Sequence, residues 1–381
     1  MKRNWEALQQ TNEERERIWR KTRSFAGDVW SRFRKKPTAI AGFLIIVLLV
    51  LFSVLGPLFT GKSYSEQDLN AANIAPRIKV FETPDGNGWL YITQSMKLLR
   101  VSAEGEFGEQ LNKLREDSER QMLIFDYEGS ELGLYYGKKP YLVVNPDTLV
   151  IAKSRRIRNR DYLLGTDSLG RDILTRLMYG SRVSLVVAFV AVIVNLLIGI
   201  LYGGISGYLG GNVDEFMMRI VDIISTIPLT LYVILIMVLL GSGLGSIIVG
   251  SVYWVGMARV VRGQVLSLKQ QEFVLAARTI GSSTSTILFR HLIPNAMGAI
   301  LVTATMLIPS AIFMEAFLGF LGIGLKPPLA SLGTMCNDAT ENLRSCPYQL
   351  FIPAFVIVLI MFAFNFVGDG LRDALDPKLR K

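Results

Sequence analysis

The run TAIAGFLIIVLLVLFSVLGPLF, from Thr38 to Phe59, carries no charged residue. A helix needs about 20 apolar residues to cross a bilayer core, and a helix that is apolar all round has no face to offer water. This segment is therefore committed to a membrane. Half of the 381 residues are hydrophobic and 19% are charged, with the apolar ones gathered into runs, as in membrane proteins. Five more runs approach spanning length: Val183 to about Leu209, about Ile220 to Leu240, Leu244 to about Val261, Ile293 to about Leu321, and Leu350 to Val367. The expected fold is an all-α polytopic membrane protein with six transmembrane helices. Asp222, Arg259 and Glu315 interrupt the middle runs and blur their ends.

Basic residues beside a span tend to stay in the cytoplasm. Residues 1–37 hold 11 Lys or Arg against 5 Asp or Glu, so the amino terminus is expected inside. Six spans then return the slightly basic tail LRDALDPKLRK to the same side. A basic cluster, Lys153, Arg155, Arg156, Arg158 and Arg160, falls on the outer side, in a loop long enough to translocate regardless of charge. The first run is too long for the apolar core of a signal peptide and lies behind a charged segment. That segment sets Ile18, Phe25, Trp30 and Phe33 among basic residues, which suits either an amphipathic helix on the inner surface or a solvated charged one.

Composition divides the chain into a basic segment (1–37), a first span (38–59), an insert (60–161) and a core with five more spans (162–381). The insert is soluble in character, with strand-like pieces RIKVFET, WLYIT, KLLRVSA, MLIFDY, LGLYYG and YLVVN separated by turn signals. EQLNKLREDSERQ, Glu109 to Gln121, reads as a helix. The expectation is a small β-rich extracytoplasmic insert.

GPLFTGKS, Gly56 to Ser63, fits the phosphate-loop pattern GxxxxGK[ST], and MLIFD could pass for a magnesium-holding strand. The pattern requires a buried strand before it and a helix amino terminus after it. A spanning run precedes it instead, so the match is expected to be accidental. No CxxC, HExxH or nucleophile with its base is present, so neither catalysis nor a metal site is expected, and no nucleic-acid partner. Cys336 and Cys346 lie between the last two spans, where a disulfide and two unpaired thiols are equally open from spacing.

GGNVDEFMMRIVDIISTIP, Gly210 to Pro228, places Asp214, Glu215, Arg219 and Asp222 at a helix end, with Arg219 and Asp222 three apart and able to pair. Gly203 and Gly207 have the spacing of close helix contacts, and Pro228, Pro309 and Pro353 are expected to kink their helices. In EFVLAARTIGSSTSTILFRHLIPN, Glu272 to Asn295, the residues Phe273, Ala276, Ala277 and Ile280 recur at helical spacing on one face, suited to a partner's groove or to a lipid surface. Arg278 lies in the same turn. Gly281 is a natural helix end, and Pro294 can begin the next helix.

GTDSLGRDILTRLMYGSRVSL (Gly165 to Leu185), GYLGGNVDEFMMRIVDIISTIP, EFVLAARTIGSSTSTILFRHLIPN, FLGFLGIGLKPPLASLG (Phe317 to Gly333) and NFVGDGLRDALDPKLR together resemble the permease subunits of dipeptide and oligopeptide ABC importers. The resemblance covers residues 162–381 and, more loosely, the first span. It implies the type I ABC importer permease fold in a bacterial cytoplasmic membrane. It also implies a second permease, two cytoplasmic ATPases that hold the ATP and magnesium, and an external binding protein that delivers peptide. This chain would bind no cofactor. By the same resemblance Ala276, Ala277, Gly281 and Pro294 match the element that docks on the ATPase, with Glu272, Phe273 and Arg278 beside them. Leu275 and Ile293 stand where the pattern has glutamate and leucine. Gly165, Asp167, Gly170, Arg171 and Asp172 of the first motif, with Asp214, Arg219 and Asp222, are expected to be structural or gating residues. Relatives with these motifs also move nickel or other small solutes. A secondary transporter or channel would show more ionisable residues deep in its spans.

Overall fold

Pro37 opens the first long helix, since its fixed φ suits a first turn and its missing N–H would have had no partner there. The computed structural model describes residues 25–137, 140–145, 150–240, 245–326 and 328–375. Ile18, with the rest of residues 1–24, and the last six residues of the basic tail lie outside them. Helix α1 (Phe25–Phe33) precedes α2 (Pro37–Thr60), the charge-free run. After the insert come α3 (Ile173–Leu209), α4 (Gly211–Thr226), α5 (Leu229–Leu240), α6 (Gly245–Leu268) and α7 (Glu272–Thr279). A wide π-type turn at Ile287–Leu292 leads into α8 (Ile293–Phe320), followed by α9 (Leu332–Asp338) and α10 (Tyr348–Leu375).

Packing fixes the helix directions. Gly56 of α2 meets Met178 of α3, and Gly42 meets Phe366 of α10, so α2 runs against both. Along α3, Gly199, Gly203 and Gly207 approach Met257, Ala258 and Arg262, so α3 and α6 run parallel. Ser184 bonds Glu315 while Gly204 faces Ile293, so α8 runs against α3. The start of α2, the end of α10 and the α6 to α8 connection thus share one end of the bundle, and Lys36 pairs with Asp373 there. The insert caps the opposite end.

Among the described residues, four helical segments are long and apolar enough to cross a bilayer: Pro37–Thr60, Ile173–Leu209, Thr284–Phe320 and Tyr348–Leu375. The stretch from Ile220 to Leu240, expected as one span, is not one helix. It is bent by 87° between α4 and α5, at Ile227–Pro228, where proline cannot continue the hydrogen-bond ladder. The bend bounds a cavity of about 360 Å³ lined by Ser225, Pro228, Tyr232, Tyr253 and Leu307 among others.

The insert consists of two antiparallel five-stranded sheets. One contains β1 (Arg77–Glu82), β2 (Trp89–Ile92), β3 (Leu98–Val101), β4 (Phe107–Gln110) and, beside β1, β10 (Ser154–Arg158). The other runs in order through β5 (Lys113–Asp117), β6 (Met122–Tyr127), β7 (Ser130–Tyr135), β8 (Tyr141–Asn145) and β9 (Val150–Ile151). Phe81, Leu90 and Leu98 of the first sheet pack on Phe125, Leu132, Leu134 and Leu142 of the second. The helix expected over Glu109–Gln121 does not form. Those residues end β4 and make β5, where Glu116 opposes Leu123, and pairing with an apolar neighbour strand outweighs their helix propensity.

Candidate functional site

At the insert end, the loop Gly165–Asp172 folds back on itself, with Thr166 bridging Asp172. Gly170 takes φ +74°, and a Cβ there would run into the Asp68 carbonyl, so only glycine fits. Asp172 caps α3, its carboxylate accepting from the Thr175 N–H at 2.9 Å. The Gly165 carbonyl accepts from the Ile173 N–H at 3.1 Å, closing the same turn.

Asp167 organises the centre of this loop. Its Oδ1 accepts from the N–H groups of Leu169 and Arg171, each at 2.9 Å, and its Oδ2 accepts from Arg171 Nε at 2.7 Å and from Arg176. Both guanidinium groups also reach Asp338 on α9, at 2.9 and 3.0 Å. Two cations and two anions therefore balance. Side-chain exposure is only 8% for Asp167, 7% for Arg171 and 4% for Arg176. Removing one member would strand a buried charge, a loss of about 3–5 kcal/mol. Tyr348 and Gln349, at the start of α10, donate to the Thr166 carbonyl at 3.2 and 2.8 Å. The motif thus clamps α3, α9, α10 and the root of the insert. Arg176, Asp338, Tyr348 and Gln349 were not identifiable from sequence, because pairs 162 to 183 residues apart leave no local spacing.

Cys336 and Cys346, beside this clamp, are both buried and both free, so the disulfide left open by their spacing is not formed. Burial, aided by the nearby Glu315 charge, pushes the Cys336 thiol up to about 11. Glu315 itself accepts from Ser184 at 2.7 Å, its other oxygen having no hydrogen-bond partner among the described residues.

At the opposite end the expected Arg219–Asp222 pair is absent. Asp222 instead accepts from Arg259 of α6 at 3.0 Å, and Arg219 lies 4.0 Å from Glu215. Asp214 is gripped by Arg262 through both carboxylate oxygens and also accepts from Ser206. The charges of α4 thus tie it to α3 and α6, because a partner on a packed neighbour holds a carboxylate better than a solvated neighbour in sequence. The spacing of Gly203 and Gly207 signals the α3–α6 contact correctly: a Cβ at Gly203 would strike the Ala258 carbonyl oxygen, and one at Gly207 would lie 2.9 Å from that of Arg262.

Helix α7 lies at this same end. Val274 and Ala277 are buried and join a core with Val261, Val265, Leu288 and Leu292. The apolar stripe is therefore narrower than expected, since Ala277 turns inward. Glu272, Phe273, Leu275, Ala276, Arg278 and Ile280 face outward, Ile280 being 81% exposed. Gly281 ends the helix with φ +80°, and the Ser282 N–H closes the turn on the Ala277 carbonyl at 3.1 Å. Arg278 lies over the Tyr208 ring, 5.4 Å from its centroid, joining α7 to the end of α3. Pro294 sits in the first turn of α8, behind the π-type turn.

The phosphate-loop match is spent on helix, since Gly56 to Thr60 lie inside α2. Lys62 donates to the Asp161 carbonyl and covers the Tyr162 ring at 3.7 Å. Among the described residues no three His, Cys, Asp or Glu side chains gather as a metal site would require.

Residues 195–381 match the family described as binding-protein-dependent transport system inner membrane component, and residues 24–76 match the N-terminal TM domain of oligopeptide transport permease C. The oligopeptide transport system permease protein OppC of Bacillus subtilis is 38% identical over 368 residues, 96% of this chain and 94% of the relative. The chain belongs to this family of transport permeases. The dipeptide transport system permease protein DppC of the same organism is 38% identical over 376 residues, 98% of this permease and 92% of the relative. Both alignments take in nearly the whole chain, the length of the insert included. A chain of the MetNI methionine ABC transporter, in an inward-facing conformation, aligns with 52% of the permease at 21% identity and a TM-score of 0.41.

Proposed function

We propose that this chain is the membrane-spanning subunit of a bacterial ABC importer for dipeptides or oligopeptides, with the type I permease fold. It crosses the cytoplasmic membrane six times, with both termini and α7 in the cytoplasm and the insert outside. A second permease subunit completes the pathway, two ATPase subunits supply the energy, and an extracytoplasmic binding protein delivers the peptide. The permease binds no cofactor; ATP and magnesium belong to the ATPases.

Helix α7 carries this reading. Its inner face is anchored by Val274 and Ala277, while Ala276 and Ile280 stand outward, Ile280 at 81% exposure, with Phe273 partly exposed beside them. A short helix anchored on one face and apolar on the other suits a partner's groove. Closure of the ATPases would push α7 as a rigid lever against α6 and α8, and the charge ties of Asp214 and Asp222 would carry α3 and α4 with them. The bend at Pro228, beside its cavity, is the place in the bundle where such a movement can open a path. The Asp167 clamp keeps the outer ends of α3, α9 and α10 together meanwhile.

The insert is the outer receiving surface for the binding protein. Arg77 opposes Arg158 and Lys79 opposes Arg156 across β1 and β10, so four cations share one exposed face. Like charges directly opposed cost stability, which favours a role with an acidic partner over one in the fold. For α7, Cys336 and Cys346 are replaced by serine and Ala276→Cys is introduced into the assembled transporter. A short bifunctional thiol reagent should then join it to an ATPase subunit. Labelling from the outer face, with no cross-link to an ATPase, would contradict the assignment.

A further inference from the structure

Pro57 lies within α2, and its missing N–H leaves the Ser53 carbonyl without its helical partner. Arg182 of α3 fills that vacancy, donating from Nε at 3.1 Å and Nη2 at 2.9 Å to the Ser53 oxygen, and from Nη2 at 3.2 Å to the Val54 oxygen. Both acceptors are neutral, and Arg182 has no carboxylate partner among the described residues. Its charge is therefore uncompensated inside an apolar bundle, which is costly. Around it lies a cavity of about 290 Å³ whose walls include Val50, Val54, Leu185, Val186 and Phe189. Phe189 and Val186 open it to the outer face of the bundle, at 64% and 55% exposure.

Two observations set its level. Ser53 lies about 10 Å along α2 from Thr60, at about 1.5 Å per residue. Arg182 also stacks over Tyr179, 5.1 Å from the ring centroid, and Tyr179 packs on Tyr64 at 4.4 Å. Tyrosines collect where acyl chains give way to headgroups, so the guanidinium is within reach of a headgroup phosphate while the groove below it is purely apolar.

We propose that the groove between α2 and α3 binds one anionic phospholipid, with its phosphate paired to Arg182 and an acyl chain lying along Val50, Val186 and Phe189. The lipid neutralises the one arginine that braces the proline break in α2, and so couples the first span to the anionic lipid content of the membrane.

The test uses the complete transporter reconstituted with Phe189→Trp, its fluorescence read as the difference from the same complex without that substitution. Phosphatidylglycerol brominated on its acyl chains should compete for the groove roughly fivefold better than brominated phosphatidylcholine. Arg182→Gln should abolish that preference, and Arg182→Lys should retain it. Equal quenching by the two lipids with Arg182 in place would overturn the proposal. So would the absence of quenching by either lipid, which would mean that protein covers the groove. Loss of the preference on adding soluble glycerol 3-phosphate would also overturn it, by showing a bare phosphate site. Should Arg182→Gln fail to fold, the comparison of the two lipids with Arg182 and Lys at this position still decides.

Discussion

Asp167 and Asp338 each answer both guanidinium groups, but Asp167 is the buried one, so its replacement should be the costlier of the two. Asp167→Asn should destabilise the assembled transporter by about 3–5 kcal/mol, seen as a lower thermal unfolding midpoint. Asp338→Asn should cost less, because Asp338 is 35% exposed and water can replace part of its role. An equal shift for both would show that burial is not what makes Asp167 critical. The Cys336 thiol, held neutral by burial up to about 11, should resist alkylation at pH 8 in the native complex and react once the protein is unfolded. Rapid native labelling would contradict its placement. The sequence showed Asp167, Gly170 and Arg171 as one motif, since they are adjacent. It hid Arg176 and Asp338 as their partners, just as it misassigned the partner of Asp222, because a buried charge selects whichever neighbour packing brings to it.

At the scale of elements, periodicity and breakers told the most. The start of α2, the end of α3 and the start of α8 were readable to about a residue, where Pro37, Gly210 and Pro294 mark them, whereas α3 begins ten residues before its expected span and α10 ends eight residues after. The helix expected at Glu109–Gln121 failed because β5 takes its structure from β6 and not from its own propensity. The expected span over Ile220–Leu240 is broken at Pro228, a residue recognised as a kink but not as a near right angle. In the insert, the facing ends of β1 and β10 bring Arg77 opposite Arg158, so residues 78–159 can be excised and the ends joined by a short linker. That deletion should leave the permease in the membrane and weaken docking of the binding protein. Unchanged docking and uptake would reduce the insert to a spacer. Gly203→Leu, by contrast, drives a side chain into the Ala258 backbone, and overpacking of this kind costs about 1–3 kcal/mol or more. It should lower the amount of assembled transporter in the membrane, measured against wild type, and undiminished assembly would show that the α3–α6 contact tolerates separation.

For the whole molecule, helix directions do what composition alone could not. They bring the start of α2, the end of α10 and α7 to one end of the bundle and the insert to the other, and the proposed function assigns the first end to the ATPases and the second to the cargo. The central claim is that force enters through α7. The direct measurement is peptide uptake by vesicles holding the assembled transporter, with ATP on the α7 side and binding protein on the insert side. It compares wild type with Ala276→Asp, a change on the exposed face that leaves Val274 and Ala277 in place. Wild type should accumulate labelled peptide only with ATP. The variant, at equal abundance and with its ATPases bound or shed, should lose at least most of that uptake. Uptake by Ala276→Asp at the wild-type rate, or uptake by wild type without ATP, would contradict the account.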